Sequence, residues 1–265
     1  MSDFSERDFA TPDSSQPSKK GPNPFLIPGA IVMAGLLVAG AVFFTKDASQ
    51  QASDSTQQIQ AGVQAPDVRP VTSDDHVRGN PNAEIVIIEY SDFECPFCGQ
   101  FHNTMKRIID KYGKDGTVAW VYRQFPIEQL HKQAWREAIA SECVADIGGH
   151  EAFWQFADLL FANNNGGNDG LDLTKMSDFA EEAGVSREAF NSCLESERTR
   201  PLVQEDYDEA TSGAGGRGTP HNVIIARGQS AAVPGAQPYE AMDSIIQSIL
   251  NPNNAAAQES ADETE

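Results

Sequence analysis

Cys95 and Cys98 stand three residues apart in Cys95-Pro96-Phe97-Cys98. A dithiol at that spacing closes into a small-ring disulfide and opens again, which is two-electron thiol–disulfide exchange. The motif follows an apolar, β-branched run at 85–88, and Phe97, Phe101, Met105, Ile108 and Ile109 then recur at core-facing helical spacing. Cys95 is therefore expected at a helix N-terminus, where unpaired backbone N–H groups and the helix dipole favour negative charge. A thiol placed there has a lowered pKa, and its thiolate is both a better-populated nucleophile and a better leaving group. Glu89 is a polar residue inside the apolar strand, six positions before Cys95. If desolvated, its carboxyl has a raised pKa, as a proton shuttle near neutrality requires; at a solvated strand end it has none.

Two other uses of a Cys-x-x-Cys compete. Half of a zinc site would take His102 as a third ligand, but Cys143 and Cys193 lie singly and far off, unlike paired zinc knuckles. An inert structural bridge fits poorly with so tight a ring at a strand-to-helix junction. No metal or organic cofactor is expected; the Cys95–Cys98 disulfide would itself carry the electrons.

The flanking elements order as strand, helix, strand. Residues 85–90 read as a strand buried on both faces, 96–112 as the helix, and 117–125 as a second strand, which makes a parallel pair with a crossover. A helical block follows, with helices over 130–147 and 152–162 separated by Gly148-Gly149. Further helices are expected over 173–183, from a Ser186 cap to 196, and over 200–212. Thr219-Pro220 leads into a strand at 221–226, a hairpin to 230–233 and an amphipathic helix at 238–250 carrying Met242, Ile245, Ile246 and Leu250.

The ends differ in character. Residues 1–24 are polar and rich in Ser, Pro and Asp and read as a disordered cytoplasmic tail. Residues 25–44 are uncharged and apolar, and a run of about 20 residues matches a bilayer-spanning helix. Arg7, Lys19 and Lys20 precede the run and Lys46 alone follows closely, so the N-terminus stays inside. Ala39-Gly40-Ala41 has the form of a signal-peptide cleavage site, but Val42-Phe43-Phe44 continue the apolar run, which favours an uncleaved anchor. Residues 45–70 read as a flexible linker, 71–250 as the folded domain and 251–265 as a disordered acidic tail. With 19 basic against 39 acidic residues the formal charge is −20, which argues against nucleic acid and anionic membrane surfaces as partners and otherwise serves solubility.

With this order in place, the chain resembles a membrane-anchored member of the DsbA-like branch of the thioredoxin superfamily. The resemblance rests on Glu89-Tyr90-Ser91-Asp92-Phe93-Glu94-Cys95-Pro96-Phe97-Cys98, the downstream Gly218-Thr219-Pro220 and the Gly235-Ala236-Gln237-Pro238-Tyr239 segment. It implies an α/β thioredoxin fold with a helical insertion, here preceded by a single transmembrane helix. It further implies that Cys95 is the exposed nucleophile and Cys98 the resolving thiol. Pro220, preceded by Thr219, becomes a cis-proline that offers backbone groups to an extended substrate, with Pro96 and Phe97 beside it, and Glu89 the proton acceptor for Cys98. Cys143 and Cys193 both point into the helical block, and some DsbA-like relatives carry a second bridge, so a structural Cys143–Cys193 disulfide is expected. Phe97 stands where strong oxidases of this type usually have histidine, and Glu94 would oppose a Cys95 thiolate if it lay close. His221 is unusual after Pro220 and reads as a groove residue or an exposed strand start; His131 and His150 read as structural or surface residues.

The implied activity is an extracytoplasmic dithiol oxidase acting on exported protein thiols and reoxidised by a membrane partner of DsbB or VKOR type. A reductase or isomerase kept reduced by a transmembrane electron donor is the alternative on the same fold. A non-redox peptide-binding chaperone is a further one, against which the intact Cys-x-x-Cys weighs.

Overall fold

The computed structural model describes residues 65–163, 171 and 173–252. The expected tail 1–24, the anchor 25–44, and most of the linker 45–70 and of the acidic tail 251–265 lie outside the described residues. Among the described residues no helix is long and apolar enough to cross a membrane.

Five strands form one sheet: β1 (His76–Arg78), β2 (Ile85–Ser91), β3 (Val118–Gln124), β4 (His221–Ala226) and β5 (Gln229–Pro234), in the order β1-β3-β2-β4-β5. β2 and β3 are parallel and joined through α1 (Pro96–Tyr112); the other pairings are antiparallel. β1 escaped the sequence reading because three residues at a sheet edge carry no period. Central β2 is covered on both faces, which is why Ile85-Val86-Ile87-Ile88 is a continuous apolar run and not an alternating one.

Strand parity sorts the core. Ile85 and Ile87 face the main core with Trp120, Tyr122, Phe101, Met105 and Ile108, while Ile88 and Tyr90 face a second core with Val121, Phe125 and Ala210. Glu89 therefore points to the same side as Ile87, toward α1. The main core continues through α6 (Tyr239–Leu250), whose Met242 and Ile246 are fully buried.

The helical insertion comprises α2 (Ala134–Asn163), α3 (Leu173–Glu182), α4 (Arg187–Ser196) and α5 (Arg200–Thr211). α2 bends at Gly149, whose φ of 78° suits a residue without a Cβ and separates the two helices expected there. It begins at Ala134 and not at 130, because residues 127–133 form a turn tied to the active-site loop. Ser186 caps α4 by accepting the Ala189 N–H. Cys143 of α2 and Cys193 of α4, both fully buried, form the expected disulfide with a Cα separation of 5.8 Å.

The linker boundary moves. Residues 65–70 belong to the folded unit: Asp67 N–H donates to the Gly213 carbonyl, Ser230 donates to the Pro66 carbonyl, and Arg69 pairs with Asp206 and Glu209. A polar composition concealed this, since the segment is held by ion pairs and backbone bonds and not by apolar burial. Arg69 joins fully buried Arg123, whose guanidinium binds Asp75 at 2.8 Å, Glu209 at 2.8 Å and the Tyr90 hydroxyl at 3.3 Å.

The Cys143–Cys193 bridge spans 50 residues of chain. Replacing both cysteines by alanine is expected to cost roughly 3–4 kcal/mol, read as a lower urea midpoint, while thiol exchange at the remaining pair persists. An unchanged midpoint would mean that the bridge adds no stability.

Candidate active site

Cys95 is the N-cap of α1, with extended φ and ψ of −72° and 121° and Pro96 in the first turn. Pro at that position forgoes an N–H that the helix cannot use. The Cys95 N–H donates to the Asp92 carbonyl at 3.1 Å, and its Sγ faces the Thr219 carbonyl at 3.5 Å. The Thr219–Pro220 peptide is cis, as expected. The turn before β4 thus meets the start of α1, and residues 124 positions apart in sequence become neighbours.

Two exposures differ from expectation. Phe97 is 57 % exposed and does not join the core, whereas Cys95 is only 4 % exposed. The buried arc of α1 runs through Cys98, Phe101, His102, Met105, Ile108 and Tyr112, and Phe97, about 100° round from Cys98, falls outside it.

The two sulfurs titrate in opposite directions. The Cys95 thiol is drawn down to about 6 by its hydrogen bond with Cys98; burial opposes this, and Thr219 and the Cys98 and Phe97 N–H groups add to it. Cys98, fully enclosed, is pushed well above a normal thiol, first by burial and then by Cys95. At pH 7 this favours a Cys95 thiolate beside a Cys98 thiol.

Glu89 is completely buried, and its pKa is raised to about 8 by that burial. Two neutral donors hold it, Ser91 Oγ at 2.7 Å and Trp120 Nε1 at 2.9 Å, and among the described residues no cation pairs with it. Ser91 also hydrogen-bonds Cys98, so a serine hydroxyl lies between carboxyl and thiol. Ser91 was legible in principle: it lies two positions beyond Glu89 on the same strand face. Trp120 was not, because its place depends on the β2–β3 register.

Other side chains settle away from their expected places. Glu94 accepts the Gln133 N–H at 2.6 Å, and burial raises its pKa. His102 pairs with Asp158 at 2.6 Å behind the dithiol. Among the described residues no three or more His, Cys, Asp or Glu side chains group as metal ligands. His221 is neither a groove residue nor an exposed one: it is buried and bonds the Ala214 carbonyl at 2.8 Å. His131, read as structural or surface, binds fully buried Asp92 at 2.8 Å beside the active-site turn.

The fold is DsbA-like in form, and it sets a Cys-x-x-Cys dithiol at the start of α1. Residues 71–248 match the family model described as Thioredoxin, and the chain belongs to that family. Among solved structures, oxidised BdbD from Bacillus subtilis is 20 % identical, with a TM-score of 0.60 over 71 % of this chain and 99 % of that one. DsbA2 from Pseudomonas aeruginosa is 26 % identical, with a TM-score of 0.56 over 69 % of this chain and 96 % of that one. A curated relative, the Na(+)/H(+) antiporter NhaA 1 of Mycolicibacterium vanbaalenii, is 36 % identical over 146 residues, which are 54 % of this chain. The match spans only 22 % of that antiporter, so the likeness concerns a segment of a longer protein.

With reduced protein, iodoacetamide is expected to modify Cys95 alone, with a rate that rises through a midpoint near pH 6. Peptide mass mapping that found Cys98 modified first would overturn the assignment of the two thiols.

Proposed function

We propose that the protein is an extracytoplasmic dithiol oxidase that donates the Cys95–Cys98 disulfide to exported proteins. The observation that carries this reading is the unequal setting of the two thiols: Cys95 at the N-cap of α1 faces the cis Thr219–Pro220 turn and Cys98 is fully buried, which draws Cys95 down to about 6 and pushes Cys98 well above a normal thiol. A stable Cys95 thiolate stabilises the reduced protein, and a protein whose reduced form is stabilised is the stronger oxidant.

In the oxidising direction a substrate thiolate attacks Cys95 Sγ. The Cys95–Cys98 bond breaks and its electron pair goes to Cys98, which takes a proton from Glu89 through the Ser91 hydroxyl. With a pKa of about 8 Glu89 is mostly protonated at neutral pH and can serve as that donor. A second substrate thiolate then attacks the substrate sulfur of the mixed disulfide and expels Cys95 as thiolate. Two electrons pass from substrate to protein; one proton ends on Cys98, by way of Glu89, and the other leaves to solvent. In reoxidation the same carboxyl takes the Cys98 proton back.

Thr219 and cis-Pro220 present backbone to an extended substrate beside Cys95, and exposed Pro96 and Phe97 offer an apolar contact that tolerates many sequences. No bound cofactor enters the cycle. The electrons pass on to a membrane partner of DsbB or VKOR type, with the 25–44 segment as a single-pass anchor, the N-terminus cytoplasmic and the 45–64 linker giving reach.

Equilibration of Cys95–Cys98 with glutathione is expected to give a potential well above the about −270 mV of a thioredoxin-type reductant. A value at or below that level rejects the oxidase and favours the reductase or isomerase that a transmembrane donor keeps reduced. Cys95→Ala is expected to abolish exchange altogether. Glu89→Gln is expected to slow turnover of a dithiol peptide roughly 10- to 100-fold at neutral pH, with the thiols intact. Wild-type turnover in that variant would remove Glu89 from the mechanism.

A further inference from the structure

Phe97 brings no charge to the dithiol, but an imidazole is tied to the turn that carries Cys95. His131 Nδ1 bonds Asp92 Oδ2 at 2.8 Å, and the His131 side chain is only 12 % exposed. The same Asp92 carboxylate accepts the Glu94 N–H at 2.9 Å and the Ile127 N–H at 2.8 Å, while its carbonyl accepts the Cys95 N–H. One buried aspartate therefore fixes both the turn that carries Cys95 and the loop that carries His131. We propose that His131, held by Asp92, is the positioning residue that stabilises the Cys95 thiolate by its positive charge and so raises the oxidising power of the dithiol.

The surrounding charges agree with this role. Asp92 and Glu94 precede Cys95 in the turn, and Glu137 faces the loop from the first turn of α2. Without a cation, these acids would disfavour any thiolate near them. The His131 ring is held above its ordinary pKa first by the Asp92 hydrogen bond, against burial, and then by the charges of Asp92, Cys95 and Glu94. Burial lifts Glu94, and lifts Glu137 to about 7; Asp92 is the acid of the three whose carboxylate bonds the His131 ring. In an imidazolium both ring nitrogens carry protons, so Nδ1 can serve Asp92 while the ring charge acts on Cys95.

This inference rests on Cys95 being the nucleophilic thiol, and its test separates the two. His131→Gln keeps a donor for Asp92 but loses the charge, and His131→Arg keeps both. In the full chain, His131→Gln is expected to slow iodoacetamide modification of Cys95 at pH 6 about three- to tenfold and to shift the glutathione equilibrium severalfold toward the protein disulfide. His131→Arg is expected to stay near wild type. Wild-type rates and equilibrium in the Gln variant would overturn the proposal and leave His131 a loop anchor. If the Gln variant does not fold, the wild-type protein still decides. By reciprocity, oxidising the dithiol removes the Cys95 charge, so the His131 ring, followed by NMR titration, must titrate lower in the oxidised than in the reduced protein. An identical titration in both states overturns the proposal. A wild-type protein that exchanges no disulfides at all would instead sink the redox reading.

Discussion

Unequal solvation of two sulfurs one helical turn apart is the constraint on which this site depends. Cys95, at the N-cap, meets backbone N–H groups and the Thr219 turn; Cys98, three residues on, is sealed in the core of α1. Desolvation alone would raise both thiols. What separates them is that Cys95 has several donors aimed at its charge, while fully buried Cys98 has the Ser91 hydroxyl against a larger burial cost. The fold's task is then to keep the start of α1 against the cis Thr219–Pro220 turn while burying the next turn beneath β2 and β3.

The same economy of partners distinguishes two buried charged residues on neighbouring central strands. Arg123 lies on one face of the sheet, met by Asp75, Glu209 and the Tyr90 hydroxyl, and such full compensation makes it a structural hub. Glu89 lies on the other face, where its partners among the described residues are a serine hydroxyl and an indole N–H. Neutral donors cannot offset the loss of water, so the carboxyl holds its proton to about pH 8. An incompletely paired buried acid next to a buried thiol is suited to moving a proton; a fully paired one is not.

Carboxylates also shape the rim. Asp92 and Glu94 spend their oxygens on backbone N–H groups of the segment that leads into α2 and on His131. In so doing they tie the helical insertion to the active-site turn. Of the two acids that precede Cys95, one is paired with His131 and the other is spent on the Gln133 N–H.

The residue pattern alone determined much of this. Cys-x-x-Cys at a strand-to-helix junction, the apolar run of β2, the Gly148-Gly149 break and the Ser186 cap are local signals, and each follows from the conformational preferences of a few neighbouring residues. The cis Pro220 and the Cys143–Cys193 bridge came from resemblance to a family, since no local rule connects residues so far apart. Tertiary structure decided what depends on register and on which side chains meet. It put Trp120 and Ser91 on Glu89, sent Phe97 outward, tied Glu94 to the Gln133 N–H, drew residues 65–70 into the fold through Arg69, and buried His221. His131 read as a structural or surface residue, and only the closure of its loop onto Asp92 tied its ring to the turn that carries Cys95. Charge acts through space, and distance in space is what a linear pattern does not contain.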